Sequence, residues 1–376
     1  MQVWIALTSK LSSHLRTLNN LSVICSYYWE NRYIIHTSRI PSFLSRFQDK
    51  ILNTGKYLSV IRDCGKEIVT PKCEQLTYKT EERFYAGRIE LAYLAASKQL
   101  MHLLMDESDL VGHLISVKHY FLMDQGDFIV QFIDMAEDEL SKDLKDIVQN
   151  RLNSLLELSI RTSTINVDTH NDEVSVTLLN EELLAQMSTI LSMGKGSVDL
   201  ASKDFDERSL KGYESIALDY KVEWPLTLIL SRKNIACYQM LFRHLFYCKY
   251  AERQLGAVWK NNKIVKTFRS QAAIGYADAF ALSQKMLNFV QNLSYYMMVE
   301  VIEPSFHNFI TKVKTMTTVD EISHEHTNFV EGCLNDCMLT QQPVLENMIL
   351  LLQLCMNFAE FMKVIHSKYL YYLLKC

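Results

Sequence analysis

The chain has 376 residues, of which 48% are hydrophobic and 22% charged. These are ordinary figures for a globular protein, with enough apolar material for two domains or one large one. Its 39 basic and 43 acidic residues leave a net charge of −4, so no basic excess offsets a phosphate backbone, and nucleic acid is excluded as a main partner. Only 11 glycines and 5 prolines interrupt it, which points to long unbroken helices.

Residues 1–26 are rich in Ser, Leu and Asn and show no clear apolar face. Their one apolar block, Val3-Trp4-Ile5-Ala6-Leu7, is followed by Lys10 and His14, a poor match to a signal peptide. Ile40-Pro41-Ser42-Phe43-Leu44 starts a helix, since Pro is tolerated in a first turn, and Phe43, Phe47 and Ile51 continue it to about Gly55. Asp63-Cys64-Gly65 and Thr70-Pro71 read as loops. A long helix over 74–106 carries Leu91, Leu94, Ala95, Leu100, Leu103 and Leu104. A second, over 113–140, is interrupted locally at Gly126, and 151–162 repeats the pattern with Leu152, Leu155, Leu156 and Ile160.

Val174-Ser175-Val176-Thr177-Leu178 alternates with period two, and so does the run from Ile216 to Val222; the two are expected to pair as a small ribbon. Residues 194–212, rich in Gly, Ser, Asp and Lys, read as the most mobile loop. Helices then return. Tyr238, Leu241, Phe242, Leu245, Cys248, Leu255 and Trp259 lie on one side of a helix ending at an Asn261-Asn262-Lys263 break. Gly275, Ala279, Leu282, Met286, Phe289, Leu293 and Tyr296 step along another, which Glu303-Pro304 terminates. Thr318 or Asp320 caps the next, and Gln342-Pro343 precedes the last. The apolar run Met348-Ile349-Leu350-Leu351-Leu352 is broken by Gln353, Asn357, Glu360 and Lys363, too soon for a membrane span. The fold class expected is all-α, of packed helical bundles with one short two-stranded β ribbon.

The nine cysteines are odd in number and irregularly spaced, and several fall in apolar helical stretches; they read as reduced thiols of a cytosolic protein. His324, His326, Cys333 and Cys337 offer four N and S ligands, but cysteines at i, i+4 on an apolar face usually pack instead. Asp124-Gln125-Gly126-Asp127 lacks a further carboxylate at calcium-loop spacing and reads as a helix irregularity. No phosphate-binding glycine loop and no Gly-x-Ser-x-Gly occurs.

Two groups are candidate protein-binding residues. Arg243, Lys249 and Arg253 form a basic run, read either as complementary to an acidic partner or as charges paired internally, Lys249 with Glu252 and Arg253 with an acid elsewhere. Asn288, Gln291, Asn292 and Tyr295 give the long helix a polar and aromatic edge beside its apolar stripe, a composition common at interfaces.

Several blocks together resemble one family. They include Tyr28-Trp29-Glu30-Asn31-Arg32-Tyr33, Asp49-Lys50-Ile51-Leu52-Asn53-Thr54-Gly55-Lys56-Tyr57-Leu58 and Leu122-Met123-Asp124-Gln125-Gly126-Asp127-Phe128. Later come Trp224-Pro225-Leu226, Tyr238-Gln239-Met240-Leu241-Phe242-Arg243-His244-Leu245, Glu252-Arg253-Gln254-Leu255 and Cys333-Leu334-Asn335-Asp336-Cys337. In this order, over about 27–365, they are similar to the gamma-tubulin complex components, and Leu122-Met123-Asp124 is similar to one branch of that family. The resemblance implies a non-catalytic structural component without cofactor or metal. Its implied partners are gamma-tubulin and other gamma-tubulin complex components, with no nucleic acid and no membrane. It implies a place in the cytoplasm, on the cytoskeleton, at a microtubule-organising centre such as a centrosome or spindle pole. It further implies that residues 27–110 end an N-terminal helical domain making lateral contacts and that 111–376 form the C-terminal gamma-tubulin-binding domain, with 1–26 unassigned. Composition and periodicity alone fit a helical scaffold or tether without a tubulin partner equally well.

Overall fold

A computed structural model describes residues 40, 42–68, 82–193, 210–265 and 273–375. The expectations for residues 1–26, for Thr70-Pro71 and for nearly all of the 194–212 loop lie outside these. The chain divides into two compact units. One comprises Met1–Leu110, Val222–Arg232 and Met316–Ser323; the other comprises Val111–Lys221, Lys233–Thr315 and His324–Cys376.

In the first unit a 3-10 turn, Ser42–Phe47, leads into α1 (Gln48–Asp63), which pairs with α2 (Glu82–His102). Tyr57, Val60 and Ile61 of α1 and Tyr85, Ile89, Ala96 and Leu100 of α2 are buried. α1 does not stop at Gly55, because one interior glycine costs only about 1 kcal/mol. It stops at Gly65, whose φ of +73° turns the chain. There the Gly65 N–H donates to Arg62 O (2.9 Å) and the Lys66 N–H to Ile61 O (3.2 Å), closing the helix with two reversed bonds. A π-helical turn, Leu103–Glu107, ends α2; Leu103 and Leu104 are buried, whereas Leu91 and Leu94 are exposed.

The remaining elements are α3 (Leu110–Phe121), α4 (Gly126–Leu140), α5 (Gln149–Thr162), β1 (Val174–Leu178), α6 (Leu183–Met193), the single turn α7 (Gly212–Ser215) and β2 (Ile216–Tyr220). After them come α8 (Arg232–Val265), α9 (Ala273–Tyr295), a π-helical segment (Tyr296–Ile302), α10 (Glu303–Val313), α11 (Val319–Asp336) and α12 (Gln342–Lys375). The fold is all-α with one ribbon, as expected. β1 and β2 pair antiparallel, Val174 opposite Tyr220 and Leu178 opposite Ile216. Helix side chains satisfy the ribbon's edges: Gln149 Nε2 donates to Val176 O (2.8 Å), the Val176 N–H to Asn153 Oδ1 (2.7 Å), and Gln239 Nε2 to Leu218 O (2.9 Å).

α8 is the core helix of the second unit. Its expected stripe is buried from Tyr238 to Leu255, with Trp259 only partly covered, and Met240, Phe246, Tyr247, Tyr250 and Ala251 on its other sides are buried too, so from Tyr238 to Ala251 it is enclosed all round. Phe121 packs against Tyr238 and Phe242, and Phe132 against Phe246, with ring centroids 6.0–6.3 Å apart.

Four expectations are corrected. Residues 113–140 form two helices, because Met123 takes a left-handed φ of 55° and Gly126 begins α4. Asn261-Asn262-Lys263 is helical: with no Gly or Pro, three polar residues cost too little to stop α8. Glu303-Pro304 does not end the helical path. Backbone angles stay helical through Ile302 and Glu303, and Pro304 falls in the first turn of α10, where its missing N–H breaks no bond that α10 needs; the wider π-helical turn precedes it. Residues 342–366 of α12, at mean hydropathy 1.6, are long and apolar enough to cross a membrane by length and composition. In this structure one side of the helix, with Leu345, Leu352, Cys355, Met356, Ala359 and Met362, is buried in protein.

Candidate functional site

The two candidate groups lie on α8 and α9, and the structure treats their members differently. Arg243 is not on a surface: it is 4% exposed. Its guanidinium donates to Gln186 Oε1 (2.7 Å), to Glu181 O (2.7 Å) and to Glu214 O (2.8 and 3.3 Å). It ties α6 and α7 to α8 from within, beside a cavity of about 60 Å³ also lined by Glu182, Tyr247 and Ile349. Burial pulls its pKa down to about 10, with Glu181 and Glu214 acting in the opposite sense; the side chain stays charged at neutral pH. The sequence did carry a signal for this. Arg243 stands in a run of Met240, Leu241, Phe242, Leu245 and Phe246, all of them buried.

Lys249 and Arg253 are half-buried, and each is paired within the chain. Lys249 Nζ meets Glu252 Oε2 at 2.9 Å. Arg253 grips Asp134 of α4 with two groups, Nε donating to Oδ1 at 2.7 Å and Nη2 to Oδ2. This pairing, above all the hydrogen bond to Asp134, raises the guanidinium's pKa. The internal reading of these two cations holds. Glu252 also accepts from Gln291 Nε2 (3.1 Å), which links α8 to α9 between the two groups.

The edge of α9 is open. Asn288, Gln291 and Asn292 are exposed and Tyr295 is 57% exposed; Gln284 Nε2 donates to Asn288 Oδ1 (3.0 Å). The buried side only partly follows the stripe expected from spacing: Leu293 faces inward as expected, but with Ser283, Val290, Ser294 and Met297. Leu282, Phe289, Tyr296 and Val299 are exposed instead, and they extend the Asn288–Tyr295 edge into a polar and aromatic face about five turns long. Spacing identified the helix and missed the direction of its inner side, because large apolar residues line more than one side of it.

The remaining sequence candidates are structural. His326 is buried, with Nδ1 accepting from Asn234 Nδ2 (3.0 Å) and Nε2 facing the Tyr238 hydroxyl (2.8 Å), while His324 is exposed. Both nitrogens of His326 are therefore engaged within the core. Burial pushes the Cys337 thiol up to about 12 and that of Cys333 higher still, as expected of packing cysteines. Cys64, Cys237, Cys248 and Cys355 are also free thiols. Asp127 opens α4 as a staple: it accepts from the Thr164 N–H (2.9 Å) and the Thr164 hydroxyl (2.8 Å). Those bonds hold its pKa below the usual carboxylate range.

Fold and site thus define a helical protein that offers an open helix face. Residues 110–371 match the family model described as gamma tubulin complex component C-terminal, and residues 6–107 match the one described as gamma tubulin complex component N-terminal. The chain belongs to the gamma-tubulin complex component family. It is 45% identical to gamma-tubulin complex component 2 of Mus musculus over 337 residues, covering 89% of this chain and 37% of that protein. It is 44% identical to the component 2 homolog of Drosophila melanogaster, over 90% of this chain and 39% of that protein. Identity to spindle pole body component alp4 of Schizosaccharomyces pombe is 31%, over 89% and 49%. The chain thus spans less than half the length of each of these relatives. The N-terminal match begins at residue 6, inside the stretch the sequence reading left unassigned.

Proposed function

We propose that the chain is a non-catalytic structural component that binds gamma-tubulin and helps nucleate microtubules at an organising centre in the cytoplasm. Residues 111–376 carry the gamma-tubulin contact, and residues 27–110 end a domain for lateral contact with other gamma-tubulin complex components. The reading needs no cofactor. It rests on family membership and on one structural observation, the exposed face running from Leu282 of α9 to Val299 of the π-helical segment, with Asn288, Gln291, Asn292 and Tyr295 along its edge. A rigid helix presenting Tyr, Phe and amide side chains loses little conformational freedom on binding. Holding several gamma-tubulins in one orientation would lower the ordering cost of the first microtubule turn.

The test is size-exclusion chromatography of the chain with purified gamma-tubulin, on the unaltered protein and on Tyr295→Ala and Asn292→Ala. A complex that Tyr295→Ala weakens by about 1–2 kcal/mol is expected for an aromatic anchor. No complex from folded protein would favour a helical scaffold without a tubulin partner. A complex indifferent to both substitutions would move the contact off this edge.

A further inference from the structure

We propose that His113, His170 and Glu173 form a binding site for a divalent transition-metal ion of the zinc class. Their ligand atoms all lie within 4.8 Å of one another. His113 projects from the first turns of α3, while His170 and Glu173 come from the turn that leads into β1. Glu173 Oε2 lies 3.1 Å from His113 Nδ1, and Oε1 lies 3.9 Å from His170 Nδ1. Two imidazoles and a carboxylate are the ligand types that Zn²⁺ takes when it leaves a position for water.

Three features make this more than a chance cluster. First, contacts that use none of the ligand atoms hold the turn. Asp168 Oδ1 accepts from the Ser116 hydroxyl (2.7 Å) and from the His170 N–H (3.1 Å). The Lys221 N–H donates to Glu173 O (2.9 Å), fixing Glu173 to the end of β2. Second, Glu173 Oε2 is a buried carboxylate oxygen that faces His113 Nδ1 at 3.1 Å, with the Tyr220 hydroxyl also bonded to Glu173. A carboxylate is costly to bury, and a cation at this point would offset its charge. Third, among the described residues the ion-pair partners of Glu173 and Asp168 are His113, His119 and His170, an arrangement of carboxylates and imidazoles that suits a cation. The Tyr220 hydroxyl, 2.7 Å from His113 Nδ1, is placed to give way to the ion or to hold its water. The rings of His113 and His170 are stacked at 3.7 Å.

The test uses the chain stripped with chelator under reducing conditions and titrated with Co²⁺, then with Zn²⁺ in competition. The expected result is one equivalent of Co²⁺ giving d–d absorption without a thiolate charge-transfer band, displaced by Zn²⁺. Affinity should fall at least about tenfold in Glu173→Gln and in His170→Ala. Glu173→Gln is nearly isosteric, and circular dichroism shows whether each variant is folded. No d–d absorption from folded protein, a thiolate band pointing to cysteine, or unchanged affinity in folded Glu173→Gln would each overturn the proposal.

Discussion

His244 sits on α8 among Phe242, Leu245 and Phe246, with both imidazole nitrogens buried and without a protein hydrogen bond. Burial holds its pKa down at about 4. The folded chain therefore resists a proton that the unfolded chain accepts near pH 6.5. Stability from this group is complete above that value and is lost as pH falls towards the folded value, reaching about 2 kcal/mol at pH 5. Denaturant midpoints of His244→Leu and the unaltered chain should accordingly diverge between pH 8 and pH 5, with the variant less acid-sensitive. Parallel pH profiles would refute this. Arg243, one position earlier, behaves in the opposite way. Replacing it with Ala strands two carbonyls and an amide oxygen, and should cost about 2–4 kcal/mol. Arg243→Lys should restore little of it, since an ammonium cannot span Gln186, Glu181 and Glu214 together. Urea unfolding of both variants checks this. The sequence showed Arg243 as a charge and could not show it as a strut, because its partners lie 29 to 62 residues away and two of them are backbone carbonyls.

At the scale of elements, two glycines separate conformational from steric cost. Gly65 has φ +73° and nothing within 4 Å of an added Cβ, so Gly65→Ala should cost only the left-handed penalty, about 1 kcal/mol. Gly212 opens α7 against α4, where a Cβ would stand 2.7 Å from Ile147 Cδ1 and 2.9 Å from Leu140 O. Gly212→Ala should therefore cost more, about 1–3 kcal/mol, since a backbone oxygen gives way poorly. Thermal unfolding of the two variants ranks them, and equal losses would contradict the steric account. Local chemistry made much of this scale legible. The period-two runs became the ribbon, and Thr318 caps α11 by accepting from the Glu321 N–H (3.4 Å). Where a local breaker was weaker than it looked, the reading failed: α1 runs through Gly55, α8 through Asn261-Asn262-Lys263, and the helical path through Glu303-Pro304.

For the whole molecule, ordered sequence blocks were enough to recognise the family and residue types suggested the Asn288–Tyr295 edge, while the extent of the exposed face had to be seen in the fold. Such blocks record which residues pack, and a docking face is made of residues that do not. The structure separates two ways of holding a partner. The cations at Lys249 and Arg253 are already neutralised by Glu252 and Asp134, while the α9 face is built mainly from amides, aromatics and aliphatics, with Lys285 among them. Binding through that face should depend weakly on salt. Raising ionic strength from about 0.1 M to about 1 M shortens the screening length from about 10 Å to about 3 Å, yet Kd for gamma-tubulin should move by less than about tenfold. Lys249→Ala and Arg253→Ala should each change affinity by under about 1 kcal/mol, because removing them breaks partly exposed internal pairs. Tyr295→Ala should exceed both. Binding measured at the two ionic strengths, with all three variants, decides between the surfaces. A steep salt dependence with large losses at Lys249 and Arg253 would mean that the cations leave Glu252 and Asp134 on docking, and that the contact centres on α8.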